Sequence, residues 1–151
     1  MENNHGGMFG QGFPNDAYAK YFVGNSYLNP LSKQGEYFVG QSYLYPLNTN
    51  GLPLFNVTFE PCCRNNWHIH QATSGGGQLL ICVYGSGWYQ EEGKEARLLK
   101  PGDIVNIPAN VKHWHGAKKD SWFSHLAIEV PGENTSNEWC EPVSDEEYDK
   151  L

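Results

Sequence analysis

Asn66-Trp67-His68-Ile69-His70 and His113-Trp114-His115-Gly116 decide how this chain is read. In both stretches apolar and imidazole side chains alternate with period two, the mark of a strand with two chemically different faces. On such a strand His68 and His70 present two imidazoles to one side, while Trp67 and Ile69 pack on the other. His113 and His115 repeat the arrangement around Trp114. A lone histidine is usually a satisfied polar residue. Two His-x-His pairs on strands of one small barrel predict a bound metal ion instead.

The surrounding sequence supplies the barrel. From 53 to 130 the pattern is all-β, with alternation in Phe55-Asn-Val-Thr-Phe59 and a buried-type run in Gln78-Leu-Leu-Ile-Cys-Val-Tyr84. Gly87-Trp-Tyr-Gln90, Ala96-Arg-Leu-Leu99, Ile104-Val-Asn-Ile107 and Trp122 to Val130 continue the series, separated by Gly and Pro turns such as Pro101-Gly102. Many short strands at this spacing predict a double-sheet barrel or jelly roll. Trp88, Trp114 and Trp122 are expected to form barrel walls first and pocket lining second. Cys82, on the face of Gln78, reads as a small buried thiol.

Residues 1–52 form an N-terminal arm that carries an internal repeat. Tyr21 to Leu31 (YFVGNSYLNPL) recurs as Tyr37 to Leu47 (YFVGQSYLYPL), nine of eleven positions being identical at a period of 16. Two copies are too few for a solenoid. Each reads as a short strand ending at a proline. Either the duplication is purely local, or one copy fills a strand slot while the other adds an edge strand or pairs with a second subunit. Residues 131–151 form an acidic tail, and Ser144-Asp-Glu-Glu147 is a capping box opening a short helical segment.

Composition excludes several function classes. The 151 residues make one domain, and 39% apolar content is enough for a buried core. The formal charge of −7 argues against a nucleic-acid partner, which needs a basic footprint. Residues 132–151 hold seven acids and one lysine, so the rest of the chain is nearly neutral. No apolar run is long enough to span a bilayer, and the N-terminus lacks the basic-then-apolar pattern of a secretory signal. Four cysteines, Cys62 and Cys63 adjacent, do not make a disulfide framework. The expectation is a cytoplasmic protein with reduced thiols, in which the sequon at Asn134 has no meaning.

Two spaced motifs then give the segment 53–130 a family resemblance: it resembles a single-domain cupin. The first cupin motif is Gly-x5-His-x-His followed by an acidic ligand, six residues and Gly; here His68, His70, Gln78 and Gly85 fit, with Cys62 in the leading Gly slot. Seven residues separate His70 from Gln78, more than the pattern has. The second motif, Gly-x5-Pro-x-Gly-x2-His-x3-Asn, is matched by Gly102, Pro108 and His113, with Asn110 in the Gly slot and Ala117 last. Asn110 tolerates a left-handed backbone; Cys62 is expected to strain or reshape its turn. The fold implied is the cupin double-stranded β-helix, a jelly-roll barrel.

Within cupins the chain resembles small bacterial members, the manganese-dependent hydroxynitrile lyases and proteins found beside carboxymuconolactone decarboxylases. The resemblance implies a metal held by His68, His70, Gln78 and His113, with Gln71 as the alternative to Gln78, and proton-handling roles for His115 and His125. Three neutral imidazoles and one amide oxygen leave a divalent ion its full charge and two open positions, a reactive geometry. The alternatives for the last two histidines are a hydrogen-bonding partner of the ligands for His115 and a satisfied core residue for His125. The expected cofactor is one divalent transition metal, manganese first, with iron, nickel or zinc also compatible. The leading expectation is a metal-dependent lyase or isomerase acting on a small hydroxy or carbonyl compound. An iron-dependent dioxygenase and a non-catalytic ligand-binding cupin are the alternatives. A homodimer is expected, with no nucleic-acid or membrane partner.

Overall fold

A computed structural model describes residues 4–30 and 52–151. The chain enters through 3-10 turns at Gly7–Phe9 and Ala19–Tyr21, with strand β1 (Phe13–Pro14) between them, followed by β2 (Phe22–Val23) and β3 (Ser26–Pro30). The central segment holds β4 (Leu54–Phe59), β5 (Arg64–Asn65), β6 (His68–Gln71), β7 (Ser74–Gly75), β8 (Gln78–Gly85) and β9 (Gly87–Glu91). It continues through β10 (Arg97–Leu99), β11 (Ile104–Ile107), β12 (His113–Ala117) and β13 (Phe123–Glu129). Then come β14 (Gly132–Glu133), β15 (Ser136–Trp139) and the only α-helix among the described residues, α1 (Asp145–Tyr148).

These strands make a jelly roll of two antiparallel sheets. One runs in the order β1-β3-β4-β13-β8-β11, and the other β10-β9-β12-β5-β2 with β6 also paired to β12 and β15 paired to β6. Alternation places the core between them. Phe59, Leu80, Leu99, Ile107 and Phe123 are fully buried there, and along β8 the residues Gln78, Leu80 and Cys82 point inward. Trp67 and Trp114 leave the second sheet on its outer face, where Val143 and Tyr148 cover them and Trp88 packs alongside. Trp122 stacks on His5, with ring centroids 3.9 Å apart.

The first repeat copy supplies strands to both sheets. Its Phe22 and Val23 pair with Asn65 and Arg64, and Ser26 to Pro30 pair along β4 from Phe59 to Phe55. The second copy, 37–47, lies outside the described residues. At the other end, β15 lies along β6, from Ser136 opposite Gln71 to Trp139 opposite His68. The expected capping box is formed: Ser144 Oγ accepts the Glu147 amide at 3.1 Å. The buried Arg64 donates to the Val143 carbonyl from Nε at 3.3 Å and from Nη2 at 3.0 Å, and Tyr148 Oη donates to the Ala117 carbonyl at 2.7 Å. The acidic segment is thereby fastened onto the sheet that carries the histidines. No helix among the described residues is long and apolar enough to cross a membrane.

Candidate metal centre

Strand register brings the predicted ligands together. His68 on β6 lies directly opposite His113 on β12, and His70 follows on the same face of β6. The ring centroids of His68 and His113 are 4.2 Å apart, and His70 lies 5.2 Å from His68 and 5.4 Å from His113. A ligating nitrogen from each of the three falls within 4.8 Å of the others. His68 Nδ1 donates to the Asn66 carbonyl and His113 Nδ1 to the Val111 carbonyl, both at 2.8 Å. Each bond fixes the tautomer and leaves Nε2 as a lone pair.

Several acceptors at this cluster have no protein partner. Nε2 of His70 and of His113 and Oε1 of Gln78 are buried with no hydrogen bond. A buried acceptor left unpaired costs on the order of 1–3 kcal/mol, so this convergence of acceptors fits a divalent cation. Burial pushes the His68 imidazole well below its ordinary value, and the neighbouring His113 and His70 push it further. Burial likewise lowers His113 to about 4, against the opposing bond to the Val111 carbonyl. Both rings are therefore neutral near pH 7, the protonation state that binds metal.

Gln78 and Gln71 are in different situations. The Gln71 amide is engaged at both ends, Nε2 donating to Glu138 and Oε1 accepting from Ser136 Oγ at 3.3 Å. Gln78 donates Nε2 to Glu129 Oε1 at 2.9 Å and keeps Oε1 free. The long spacing between His70 and Gln78 is absorbed by β7, which pairs with β14, and by Gly75, Gly76 and Gly77 at φ +62°, +75° and +95°. A Cβ on Gly77 would lie 2.2 Å from the Ile107 carbonyl oxygen, so only glycine allows the chain to fold back there.

The two substituted glycine slots of the motifs also have left-handed backbone, Cys62 at φ +69° and Asn110 at φ +67°. Asn110 turns this to use. Its Nδ2 donates to the Ala72 carbonyl at 2.9 Å and its Oδ1 accepts the Ala72 amide at 3.1 Å, while its own amide donates to the His70 carbonyl at 2.9 Å. The end of the ligand strand is clamped by this side chain.

His115 and His125 form a pair behind the three-histidine cluster. His115 Nδ1 lies 3.1 Å from His125 Nε2. Asn65 holds the first ring: its Oδ1 accepts the His115 backbone amide at 2.9 Å, and its Nδ2 lies 3.2 Å from the ring nitrogens. An amide nitrogen only donates, so the ring atom it meets acts as an acceptor. Burial and the adjacent His125 push His115 well below its ordinary value, and burial lowers His125 to about 4. His115 borders the cavity together with His68, His70 and Gln78, whereas His125 is fully buried behind it.

That cavity measures about 700 Å³. Its apolar wall includes Tyr18, Phe22, Leu28, Phe55 and Trp139, so the N-terminal segment closes one side. Trp139 stacks between Tyr21 and His68, at centroid distances of 4.4 and 4.7 Å. Glu129 is the only carboxylate among the described lining residues, and sequence reasoning had not singled it out. Burial raises its pKa, but the nearby His70 ring and the hydrogen bond from Gln78 outweigh this and hold it below the usual carboxylate range. The signal for it was present: His125, Ala127 and Glu129 share one face of β13 by the same period of two.

No protein-family model matches the chain. An (R)-mandelonitrile lyase of Granulicella tundricola is 42% identical over 93 residues, covering 62% of this chain and 68% of the lyase. A solved cupin-like protein of Thermotoga maritima is 36% identical over 95% of both chains, with a TM-score of 0.73. A cupin 2 conserved barrel domain protein of Rhodopseudomonas palustris shares the fold at 12% identity, over 92% of this chain and 81% of that one, with a TM-score of 0.61. Jelly-roll topology, two strand-borne histidine pairs and these likenesses agree: the chain belongs to the cupins, and among them it resembles the small bacterial hydroxynitrile lyase-like proteins.

Proposed function

We propose that this cupin is a metal-dependent lyase that cleaves, or in reverse forms, a carbon–carbon bond next to a hydroxyl group in a small molecule. The observation that carries this reading is a three-histidine cluster with unpartnered lone pairs beside His115, which borders the same cavity and is backed by the buried His125. His68, His70, Gln78 and His113 hold the ion, manganese being our first choice. When bound, the ion supplies Lewis acidity toward a hydroxyl or carbonyl oxygen. His115, kept neutral by burial, accepts the hydroxyl proton as the adjacent carbon–carbon bond breaks and delivers it to the departing carbon group. Asn65 fixes the ring of His115, and His125 shares its proton from behind. The aromatic and aliphatic wall around Phe22, Phe55 and Trp139 suits a substrate with an apolar substituent. The likeness to a mandelonitrile lyase supports the same chemistry.

The test combines elemental analysis with turnover of mandelonitrile by protein loaded with Mn(II). His68→Ala and His113→Ala are expected to lose the metal. His115→Ala is expected to keep it and to lower the rate by roughly 10²–10⁴-fold, the usual contribution of a positioned acid–base group. Undiminished metal in both ligand variants would sink the site assignment. Oxygen consumption in place of cleavage would move the protein to the oxygenases.

A further inference from the structure

We propose that Glu129 is a positioning residue of this metal centre: its one carboxylate orients two ligands, Gln78 and His70. The inference rests on the metal-site reading above. Glu129 ends β13 directly opposite Gln78 on β8, so their contact is set by strand register rather than by a wandering surface side chain. Its backbone is held as well, the amide donating to the Pro53 carbonyl at 3.3 Å.

The argument turns on the asymmetry of an amide. Only the oxygen end of Gln78 can bind a cation, and a glutamine is free to present either end. Glu129, as a carboxylate, accepts hydrogen bonds and donates none. With Nε2 of Gln78 bonded to Glu129 Oε1 at 2.9 Å, Oε1 of Gln78 is left buried and unpartnered. The opposite orientation would set two acceptors against each other and is excluded. The second carboxylate oxygen, Oε2, lies 3.3 Å from Nδ1 of His70. His70 has no backbone carbonyl bonded to its Nδ1, unlike His68 and His113. The contact from Oε2 has ion-pair distance without the geometry of a hydrogen bond, so Glu129 sets a carboxylate oxygen beside the one ring nitrogen of the three that the main chain does not hold, ready to accept its N–H. It also restores, one layer out, the negative charge that a glutamine in the acidic ligand slot removes.

The experiment measures Mn(II) and Zn(II) dissociation constants of the full chain by chelator competition, for wild type, Glu129→Ala and Glu129→Gln. Loss of an outer partner of a metal ligand typically weakens binding 10–100-fold, and Glu129→Ala is expected within that range. Glu129→Gln keeps the side-chain shape and is expected to show a smaller loss, because its amide can meet Gln78 with either end. The electron paramagnetic resonance spectrum of Mn(II) at saturation is expected to broaden in Glu129→Gln, a change that a merely structural role would not produce. If Glu129→Ala fails to fold, the isosteric variant decides. A wild-type protein that binds the ions beside variants with dissociation constants within threefold of it overturns this proposal alone. A wild type that binds neither ion overturns the metal site with it.

Discussion

Cys62 and Asn110 share a left-handed backbone, but only Asn110 is compensated by its side chain. Asn110 gains two hydrogen bonds to Ala72, whereas the exposed Cys62 thiol reaches only the Lys119 carbonyl at 3.6 Å. A non-glycine residue in this region costs roughly 1–2 kcal/mol, part of which glycine returns through a freer unfolded chain. Cys62→Gly is therefore expected to stabilise the protein by about 0.5–1 kcal/mol, read as a higher midpoint in urea denaturation. A lower midpoint would show that the thiol contributes more than the turn costs. Legibility of the site in the sequence is also decided residue by residue. Paired histidines are legible because packing alone seldom calls for two of them at strand spacing on neighbouring strands. Glu129 was not, because a single carboxylate has no spacing partner, and its importance comes from a residue 51 positions away.

At the scale of elements, the strand-rich centre was readable from alternation, and the seating of the repeat was not. Two nearly identical segments compete on equal terms in any sequence argument. What distinguishes them is which surroundings accept the residues that differ. In the first copy Asn25 donates to Glu60 Oε2 at 3.0 Å, and Asn29 Nδ2 donates to the Phe9 carbonyl; the corresponding residues of the second copy are Gln41 and Tyr45. Deleting residues 21–36 is expected to leave a soluble, folded, metal-binding protein. The remaining copy keeps nine of eleven side chains. Circular dichroism and metal content check this outcome, and insoluble protein would show that both copies are structural. The C-terminal segment illustrates a second limit of sequence reading. Its capping box was visible as a local pattern, while the pairing of β15 with β6 depends on partners 65 or more residues apart in sequence.

For the molecule as a whole, the uneven charge acquires a structural meaning. Carboxylates of the acidic segment meet basic residues of the barrel, Glu141 with Lys112 at 2.6 Å, Asp145 with Arg64 at 2.5 Å and Asp149 with Lys119 at 3.2 Å. Exposed pairs contribute little each, so the buried Val143 and Tyr148 are the larger part of the attachment. The edges of the two sheets suggest the assembly. β1, β2, β10 and β11 are edge strands, as is β15 beyond β6, and the first four each expose one apolar side chain: Phe13, Val23, Leu98 and Ile104. Such edges invite pairing, and we propose a homodimer. Sedimentation equilibrium is expected to give twice the chain mass, and Leu98→Lys with Ile104→Lys is expected to shift it toward the monomer; a monomeric wild type would sink the proposal. Finally, the strand that carries His68 and His70 is completed by β15, which leaves the ribosome only after every residue of the central barrel has done so. A nascent chain in which His68, His70, Gln78 and His113 are all synthesised still lacks the strand that stacks Trp139 on His68. Vectorial synthesis thus puts completion of this wall of the cavity after emergence of the barrel.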